Sequence, residues 1–346
     1  MSDNIRVGLI GYGYASKTFH APLIAGTPGM MLAAVSSSDA TKVHADWPSV
    51  PVVSEPKHLF NDPNIDLIVI PTPNDTHFPL AKAALEAGKH VIVDKPFTVT
   101  LSQARELDAL AKGLGRLLSV FHNRRWDSDF LTVKTLLSEG TLGEILFFES
   151  HFDRFRPQVR NRWREQAGPG SGIWYDLAPH LLDQAVNLFG LPVSMTVDLA
   201  QLRPGAQTTD YFHAVLSYPQ RRIVLHGTMV AAAESARYII HGTRGSYVKF
   251  GLDPQEDRLK NGERLPQEDW GYDMRDGVVT RVEGEELVEE TLLTMPGNYP
   301  AYYAAIRDAL NGTGENPVPA SQAIKIMELI ELGIESAKHR ATLCLA

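Results

Sequence analysis

Ile5-Arg6-Val7-Gly8-Leu9-Ile10 runs directly into Gly11-Tyr12-Gly13-Tyr14-Ala15-Ser16, and the reading of this stretch decides the fold class. A short apolar run ended by glycine is the pattern of a strand buried on both faces. The glycines after it allow a tight turn and a close approach of the backbone to a pyrophosphate at a helix N-terminus. Strand before and helix after is the context in which this spacing reads as a dinucleotide-binding fingerprint. Gly11, Tyr12, Gly13, Tyr14 and Ala15 are therefore expected against a cofactor. Ser16 stands where a third glycine is usual, so the helix must pack on the strand with a small side chain between them. A glycine-rich loop of any α/β domain would look the same in isolation, and the rest of the chain has to separate the two.

Outward from this stretch, the first 122 residues alternate strand and helix patterns. Strand-like runs fall at 5–10, 31–36, 52–53, 65–70, 90–93 and 117–120, with helical patterns beginning near Ser16, Asp39, Glu55, Thr76 and Leu101. Repeated βα units with continuous apolar strands predict a parallel sheet covered on both faces. Ligands of such sheets bind beyond the carboxyl ends of the strands. Pro71-Thr72-Pro73-Asn74, Asp94-Lys95-Pro96 and Phe121-His122-Asn123 each follow a strand and are the places to look for chemistry.

Beyond residue 123 the pattern changes. A helix near 127–138 leads to a strand at 144–151, an arginine-rich loop at 153–172 and a helix at 174–189. Strand-like runs follow at 194–199, 211–218, 222–229, 237–241 and 246–250. Turns such as Pro219-Gln220 and Gly242-Thr243-Arg244-Gly245 separate several of them and favour a mostly antiparallel sheet. Residues 251–285 are polar and read as a long excursion, and two helices near 299–310 and 320–340 close the chain. The predicted division is a domain over 1–122 and a second over 123–346, since 346 residues exceed the ~250–300 at which single cores stop growing.

Composition narrows the class. An apolar share of 44% and a charged share of 21% are those of an ordinary globular protein. The net charge of −8 and the lack of a dense basic stripe argue against a nucleic-acid partner. The single cysteine, Cys344, excludes an intrachain disulfide framework and a thiolate zinc cluster. The start Met1-Ser2-Asp3-Asn4 is polar and no run has the length of a membrane span, so no membrane partner and a cytoplasmic location are expected.

Two clusters carry candidate chemistry. Lys95 sits between Asp94 and Pro96, and the proline restricts the direction in which it leaves the strand. An ammonium held over a cleft can polarise a carbonyl or assist proton transfer. Most lysines are solvated; the carboxyl-edge position singles this one out. The second cluster is Trp174-Tyr175-Asp176-Leu177-Ala178-Pro179-His180-Leu181-Leu182-Asp183. On one helix, Asp176, His180 and Asp183 at i, i+4 and i+7 would form a polar stripe. An imidazole beside a carboxylate is a general base near neutral pH, although a buried histidine satisfied by a helix neighbour gives the same pattern. Pro179 is tolerated if Asp176 begins the helix. No metal is expected on the stripe, because no other carboxylate–histidine cluster is evident to complete a site.

The chain resembles the glucose-fructose oxidoreductase / inositol dehydrogenase / rhizopine catabolism (Gfo/Idh/MocA) family of NAD(P)-dependent oxidoreductases. Four motifs in order carry the resemblance: the fingerprint, Thr72-Pro73-Asn74 with His77, Ala87-Gly88-Lys89-His90-Val91 running into Asp94-Lys95-Pro96, and Asp176 with His180. It implies an α/β protein, with an N-terminal Rossmann doubly wound parallel sheet and a C-terminal α+β domain whose open, predominantly antiparallel sheet often forms an oligomer interface. A homodimer or homotetramer is the expectation that follows. The implied activity is hydride transfer between nicotinamide and a sugar, cyclitol or related polyol. Carried onto this chain, Lys95 contacts the reacting oxygen, His180 exchanges its proton, and Asp176 orients substrate or base. Pro71, Thr72, Pro73, Asn74, His77, Asp94 and Asn123 would meet the cofactor. Arg124, Trp126, Arg164, Tyr175 and Asp183 would meet the substrate, with Arg156 and Arg160 close in the loop. The family usually has glutamate where Asp94 stands and often glycine where Ala178 stands.

Cofactor choice rests on the end of the second strand, where NAD enzymes place an acid for the ribose 2′-hydroxyl. Here it reads Ser36-Ser37-Ser38, with Lys42 shortly after. Hydroxyls with a nearby cation suit a 2′-phosphate and favour NADP over NAD. Asp39 is either the missing acid or a helix N-cap. Two other readings use the same fold: a non-catalytic dinucleotide or sugar sensor, and an NAD-dependent glycosidase. The pairing of Lys95 with His180 favours catalysis over sensing.

Overall fold

The computed structural model describes residues 4–345, so the Met1-Ser2-Asp3 start and Ala346 lie outside the described residues. The chain forms two compact units. The first takes 4–126, Gln255–Trp270 and Asn298–Ile324; the second takes Asp127–Pro254, Gly271–Gly297 and 325–345. The return of two later segments to the first unit is a feature the strand and helix patterns did not signal.

The first unit is built on β1 (Ile5–Ile10), β2 (Met30–Ser36), β3 (Val52–Val53), β4 (Leu67–Ile70), β5 (His90–Asp94) and β6 (Leu118–Phe121). They pair in parallel in the order β3-β2-β1-β4-β5-β6. This is the doubly wound dinucleotide-binding order, with its topological switch point between β1 and β4. Val7, Leu9, the whole of β4 and Val91–Val93 are fully buried, which is why these strands read as unbroken apolar runs. Asp39 caps the helix Ala40–Asp46 by accepting from the Lys42 backbone N–H at 3.3 Å. Thr100 and Gln103 form a reciprocal capping box on the helix Leu101–Gly113. The helix Asn74–Glu86 starts two residues before the expected Thr76, directly after the extended Pro73.

The polar stretch read as an excursion holds a helix, Gln255–Lys260, in the first unit. Only Gln255 and Leu259 of it are buried, too little apolar spacing for a sequence signal. Gln255 ties that helix down: its side-chain nitrogen donates to Trp126 O at 3.0 Å, and its oxygen accepts from Tyr299 N and Trp270 Nε1, both at 2.7 Å. The helix Pro300–Leu310 contributes fully buried Tyr302 and Tyr303, whose rings meet Phe121 at the end of β6.

The second unit carries a nine-stranded sheet. Its strands are β7 (Ile145–Asp153), β8 (Ser194–Ala200), β9 (Tyr211–Ser217), β10 (Arg222–Thr228), β11 (Ala236–Gly242), β12 (Gly245–Phe250), β13 (Gly277–Glu283), β14 (Glu286–Leu292) and β15 (Leu343–Cys344). The order is β14-β13-β12-β11-β7-β10-β9-β8-β15, antiparallel throughout the described pairs except for the parallel β7–β10. The β13–β14 hairpin was not expected: β14 is exposed on both faces and rich in glutamate, so no alternation marks it. The helix Ala178–Phe189 covers one face of the sheet, with Phe189 against Phe148 at 5.3 Å and Gln184 accepting from Tyr238 Oη at 3.0 Å. Beneath it the buried Arg237 pairs with Asp129 at 3.0 Å and lies 4.3 Å from the centre of the Phe152 ring. A buried guanidinium is stable there because its donors are used, on Asp129, Ser150 and Gln184.

The expected helix over 174–189 is two helices, Ile173–Asp176 and Ala178–Phe189, broken at Leu177. Pro179 has no N–H to continue the first helix and sits instead in the first turn of the second. In the first of them, the fully buried Trp174 donates from its indole N–H to Ile330 O at 3.1 Å, and a Cβ added at Gly333 would overlap its ring. Gly333→Ala therefore sets a helix-propensity gain of ~1 kcal/mol against an overpacking cost of ~1–3 kcal/mol. Urea unfolding should show a net loss of stability, with little room for relaxation around a pinned indole. A more stable variant would mean that Trp174 is free to move.

Candidate active site

Gly11 adopts a left-handed φ of +78° that favours glycine, and its N–H donates to Ser36 O at 2.7 Å, tying the turn after β1 to the end of β2. Nothing lies within 4 Å of a Cβ built on Gly13, so the backbone there is open to close approach by a ligand. Ser16, in the place of the third glycine, is buried and donates to Gly11 O at 2.9 Å. It opens a π-helical turn, Ser16–His20, that leads into the helix Ala21–Ala25. Tyr12 donates to Asp46 at 2.9 Å, and Lys17 pairs with the same carboxylate at 3.0 Å. Tyr14 and Ala15 stand at the rim of this turn, exposed and half-buried.

At the end of β2, Ser36 is buried, Ser37 half-buried and Ser38 exposed. The Ser37 hydroxyl accepts from Asp39 N at 3.1 Å. Asp39 itself is occupied as the helix cap, and Lys42 Nζ lies 3.5 Å from its carboxylate.

The ends of β4 and β5 are stitched by His77. This ring, expected on the nicotinamide side, is fully buried, with Nε2 2.9 Å from Thr72 O and Nδ1 2.9 Å from Pro96 O. Burial holds its pKa below the ordinary histidine value, against the pull of Asp94 and the two carbonyls. Pro71 and Thr72 are half-buried, Pro73 is exposed and Asn74 is buried at the helix start. Asp94 accepts from the Lys95 backbone N–H at 2.7 Å, and its other oxygen lies 3.7 Å from His20 Nε2. His20 is in turn 2.6 Å from Tyr303 Oη through Nδ1 and packs on Phe121 at 4.4 Å. Burial alone would raise the Asp94 pKa, but His20, then Lys95 and His77, bring it below the ordinary carboxylate value. Lys95 is half-buried at this edge, after which the Lys95–Pro96 peptide is cis.

Asn123 and Arg124 are buried. Arg124 pairs with Glu256 at 2.7 Å, and Glu256 also accepts from Tyr14 Oη at 2.5 Å. Its guanidinium charge is thus compensated within the first unit. Trp126 packs edge-on against Tyr302 at 5.6 Å.

In the second unit, Asp176 ends the short helix and is not on the helix of His180 and Asp183. The single stripe expected from i, i+4 and i+7 spacing is therefore divided. His180 and Asp183 are buried on the longer helix, with the His180 ring edge-on to Phe152 at 6.1 Å. Arg164 reaches Asp176 at 3.5 Å and lies over the Trp163 ring at 4.5 Å. Burial, and then Glu331, raises the Tyr175 pKa. The arginine-rich loop is anchored by Glu165, which accepts from Arg162 Nε at 2.6 Å and Arg160 N at 3.0 Å and pairs with Arg203 at 3.1 Å. Arg203 also pairs with Asp210 at 2.9 Å and donates to Arg156 O at 2.9 Å. An open cleft of about 490 Å³ runs past Arg160, Asn161, Glu165 and Gln207. Burial, then repulsion from Arg154, Arg162 and Arg160, lowers the Arg156 pKa.

Family models match the chain over two stretches: residues 5–122 fit an oxidoreductase family's NAD-binding Rossmann fold, and residues 134–345 fit that family's C-terminal α/β domain. The chain belongs to the Gfo/Idh/MocA oxidoreductase family. It is 89% identical to the uncharacterized oxidoreductase YdgJ of Escherichia coli, over 100% of both chains. It is 38% identical to the scyllo-inositol 2-dehydrogenase (NADP(+)) IolW of Bacillus subtilis, over 99% of this chain and 96% of that one. An oxidoreductase structure from Yersinia pestis superposes with a TM-score of 0.97 at 71% identity, covering 100% of this chain and 98% of the other.

The protein is thus an NAD(P)-binding oxidoreductase of the class acting on CH–OH groups, and the reading as a non-catalytic sensor yields to this. Among the described residues no helix is long and apolar enough to cross a membrane. Around the family motifs, the structure adds His20, Tyr303, Glu256, Glu165 and Arg203, which the sequence reading did not single out. An acidic residue inside an arginine-rich loop was the available signal for Glu165, and Asp210 seven residues on was one for Arg203; the contacts of His20 with Tyr303 and of Glu256 with Arg124 are too distant in sequence to be paired by inspection. Asp94→Asn keeps the shape of the side chain and removes its charge. It should cost ~1.5–3 kcal/mol at pH 7, the size of a hydrogen bond to a charged group. Because the folded pKa lies below the unfolded one, this stabilisation is present above about pH 4 and lost as pH falls through the folded value. Urea titrations of both proteins should therefore converge in acid; equal stability at pH 7 would mean that the carboxylate charge is not used.

Proposed function

We propose that this chain is an NADP-preferring dehydrogenase that interconverts a secondary hydroxyl and a carbonyl on a polyhydroxylated ring or chain. The observation that carries the reading is the edge of β5, where Lys95 follows a half-buried, hydrogen-bonded Asp94, in a chain 38% identical to a scyllo-inositol 2-dehydrogenase. The absence of a carboxylate among Ser36-Ser37-Ser38, with Asp39 used as a cap, supports room for a 2′-phosphate. The Lys42 ammonium would be its cation. Gly11, Gly13 and the turn at Ser16 would hold the pyrophosphate, with Thr72, Pro73, Asn74 and Asn123 nearer the nicotinamide.

The bound nicotinamide supplies the hydride acceptor in oxidation and the donor in reduction. His180 takes the hydroxyl proton as the carbon gives up its hydride, and returns it in the reverse direction. Lys95 donates a hydrogen bond to the same oxygen and stabilises the negative charge that develops on it. Asp176 orients substrate or base, with Arg164 fixing its carboxylate. Arg164, Tyr175 and Asp183 offer hydrogen bonds suited to hydroxyls, and the arginine concentration around Arg156 and Arg160 suits a sugar bearing a carboxylate or phosphate equally. Exposed apolar side chains on strands, among them Leu146, Val278, Val282 and Leu287, support a homodimer or homotetramer, and we place the enzyme in the cytoplasm.

Cyclitols, aldoses and their acid and phosphate forms, assayed with both cofactors, should give the highest kcat/KM with NADP(H). On the best substrate, Lys95→Met and His180→Ala should each lower kcat by roughly 10²–10⁴-fold while NADPH affinity and thermal unfolding stay near wild type. Near-full turnover by either variant would remove that residue from the chemistry. A plain aliphatic ketone reduced as fast as any polyol would overturn the substrate class.

A further inference from the structure

Three histidines lie side by side across the middle of the second unit's sheet. The register sets His151 of β7 beside His226 of β10, and His226 beside His213 of β9. Strand alternation puts His151, with Glu149 and Asp153, on the face opposite Phe148 and Phe152. Those two phenylalanines face the helix Ala178–Phe189, so the cluster is on the other side of the sheet from His180.

The contacts have a definite sense. His151 Nδ1 is 3.0 Å from one oxygen of Asp153, and His226 Nε2 is 3.6 Å from the other. On the far side of each ring, His151 Nε2 is 2.8 Å from Glu149, and His226 Nδ1 is 3.4 Å from His213 Nδ1. A carboxylate only accepts hydrogen bonds. His151 meets a carboxylate at both ring nitrogens, so a positive centre is needed beyond the one proton of a neutral ring: a second proton or a metal ion. With the ring proton on Nε2 and given to Glu149, the Nδ1 lone pair points at Asp153. This is the carboxylate–histidine–metal arrangement, in which the outer carboxylate fixes the tautomer and orientation of the ligating ring. His213 can hold the proton on His226 Nδ1 in the same way, freeing Nε2.

One ligand atom from each of His151, Asp153 and His226 falls within 4.8 Å of the others. Bonds of ~2.0–2.1 Å to a tetrahedral ion imply ligand–ligand edges of roughly 3.3–3.4 Å; the 3.0 Å separation of His151 from Asp153 lies within a few tenths of an ångström of that, and the remaining edges, bounded by 4.8 Å, close by side-chain rotation onto the ion. Two imidazoles and one carboxylate suit zinc and its neighbours in the first transition row, not the all-oxygen demands of calcium or magnesium. We propose that His151, Asp153 and His226 form a binding site for a divalent transition metal of the zinc class, oriented by Glu149 and His213 and clamping the parallel β7–β10 pair.

The test uses untagged full-length protein stripped by a chelator, then equilibrated with Zn²⁺ or Co²⁺. Elemental analysis should return one ion per chain, and Co²⁺ should give the intense visible bands of a low-coordinate site. Asp153→Asn and His226→Gln, each close in size to the native residue, should abolish stoichiometric binding. Glu149→Gln should weaken it roughly 10–100-fold, as loss of an orienting carboxylate does. His241→Ala, an exposed histidine on the same sheet, should leave it unchanged. Zn²⁺ should also raise the Tm of the wild type and not of Asp153→Asn. Substoichiometric uptake by the wild type, or full affinity in both ligand variants, would overturn the proposal and leave a second proton as the positive centre at His151.

Discussion

The Asp94 carboxylate, half-buried at the carboxyl end of β5, is the charge around which the edge of the first unit that carries Lys95 is arranged. Left bare, such a group would cost several kilocalories per mole in lost hydration. Its partners come from separate places: the N–H of Lys95, the residue after its own strand, and the His20 ring, 3.7 Å away on the turn after the fingerprint. Tyr303, from the helix Pro300–Leu310, fixes His20 from behind. His77 joins the carbonyls of Thr72 and Pro96, so the loops after β4 and β5 are tied together. The direction in which Lys95 leaves the sheet is therefore set by partners spread over most of the unit's length.

The second unit uses the same device with the charges exchanged. Arg203, buried between Glu165 and Asp210, holds the loop that carries Arg156, Arg160 and Arg164. Glu165 neutralises part of that loop's charge and fixes its backbone through Arg160 N. The arginines can then be concentrated near Asp176 without collapse of the loop into solvent. In each unit a compensated charge of low exposure lies beneath the more exposed charged groups that the proposed function assigns to ligands.

Much of this was legible in the sequence where local physics governs it. The continuous apolar runs of β1, β4 and β5 and the glycines after β1 read directly, because burial on both faces and a left-handed Gly11 leave unmistakable marks. Asp39 was open between a ribose contact and a cap, and the Lys42 N–H it accepts shows it capping the helix. The stripe through Asp176, His180 and Asp183 failed at one residue, Pro179, which divides the helix. The hairpin of β13 and β14 was hidden because neither face of β14 is buried. His20 with Tyr303 and Arg124 with Glu256 are 283 and 132 residues apart, and only tertiary packing pairs them. Glu149, His151 and Asp153 alternate visibly along one strand, but His226 joins them only through the parallel register of β7 and β10.

The central claim is that Lys95 and His180 act on one substrate oxygen. A crystal structure of the ternary complex with NADP⁺ and a slowly oxidised cyclitol or sugar substrate tests this most directly. The account predicts that the reacting hydroxyl lies within hydrogen-bond distance of both the Lys95 ammonium and the His180 imidazole, with its carbon facing the nicotinamide. A productively bound hydroxyl contacting neither side chain, or the proton path running through another residue, would contradict it.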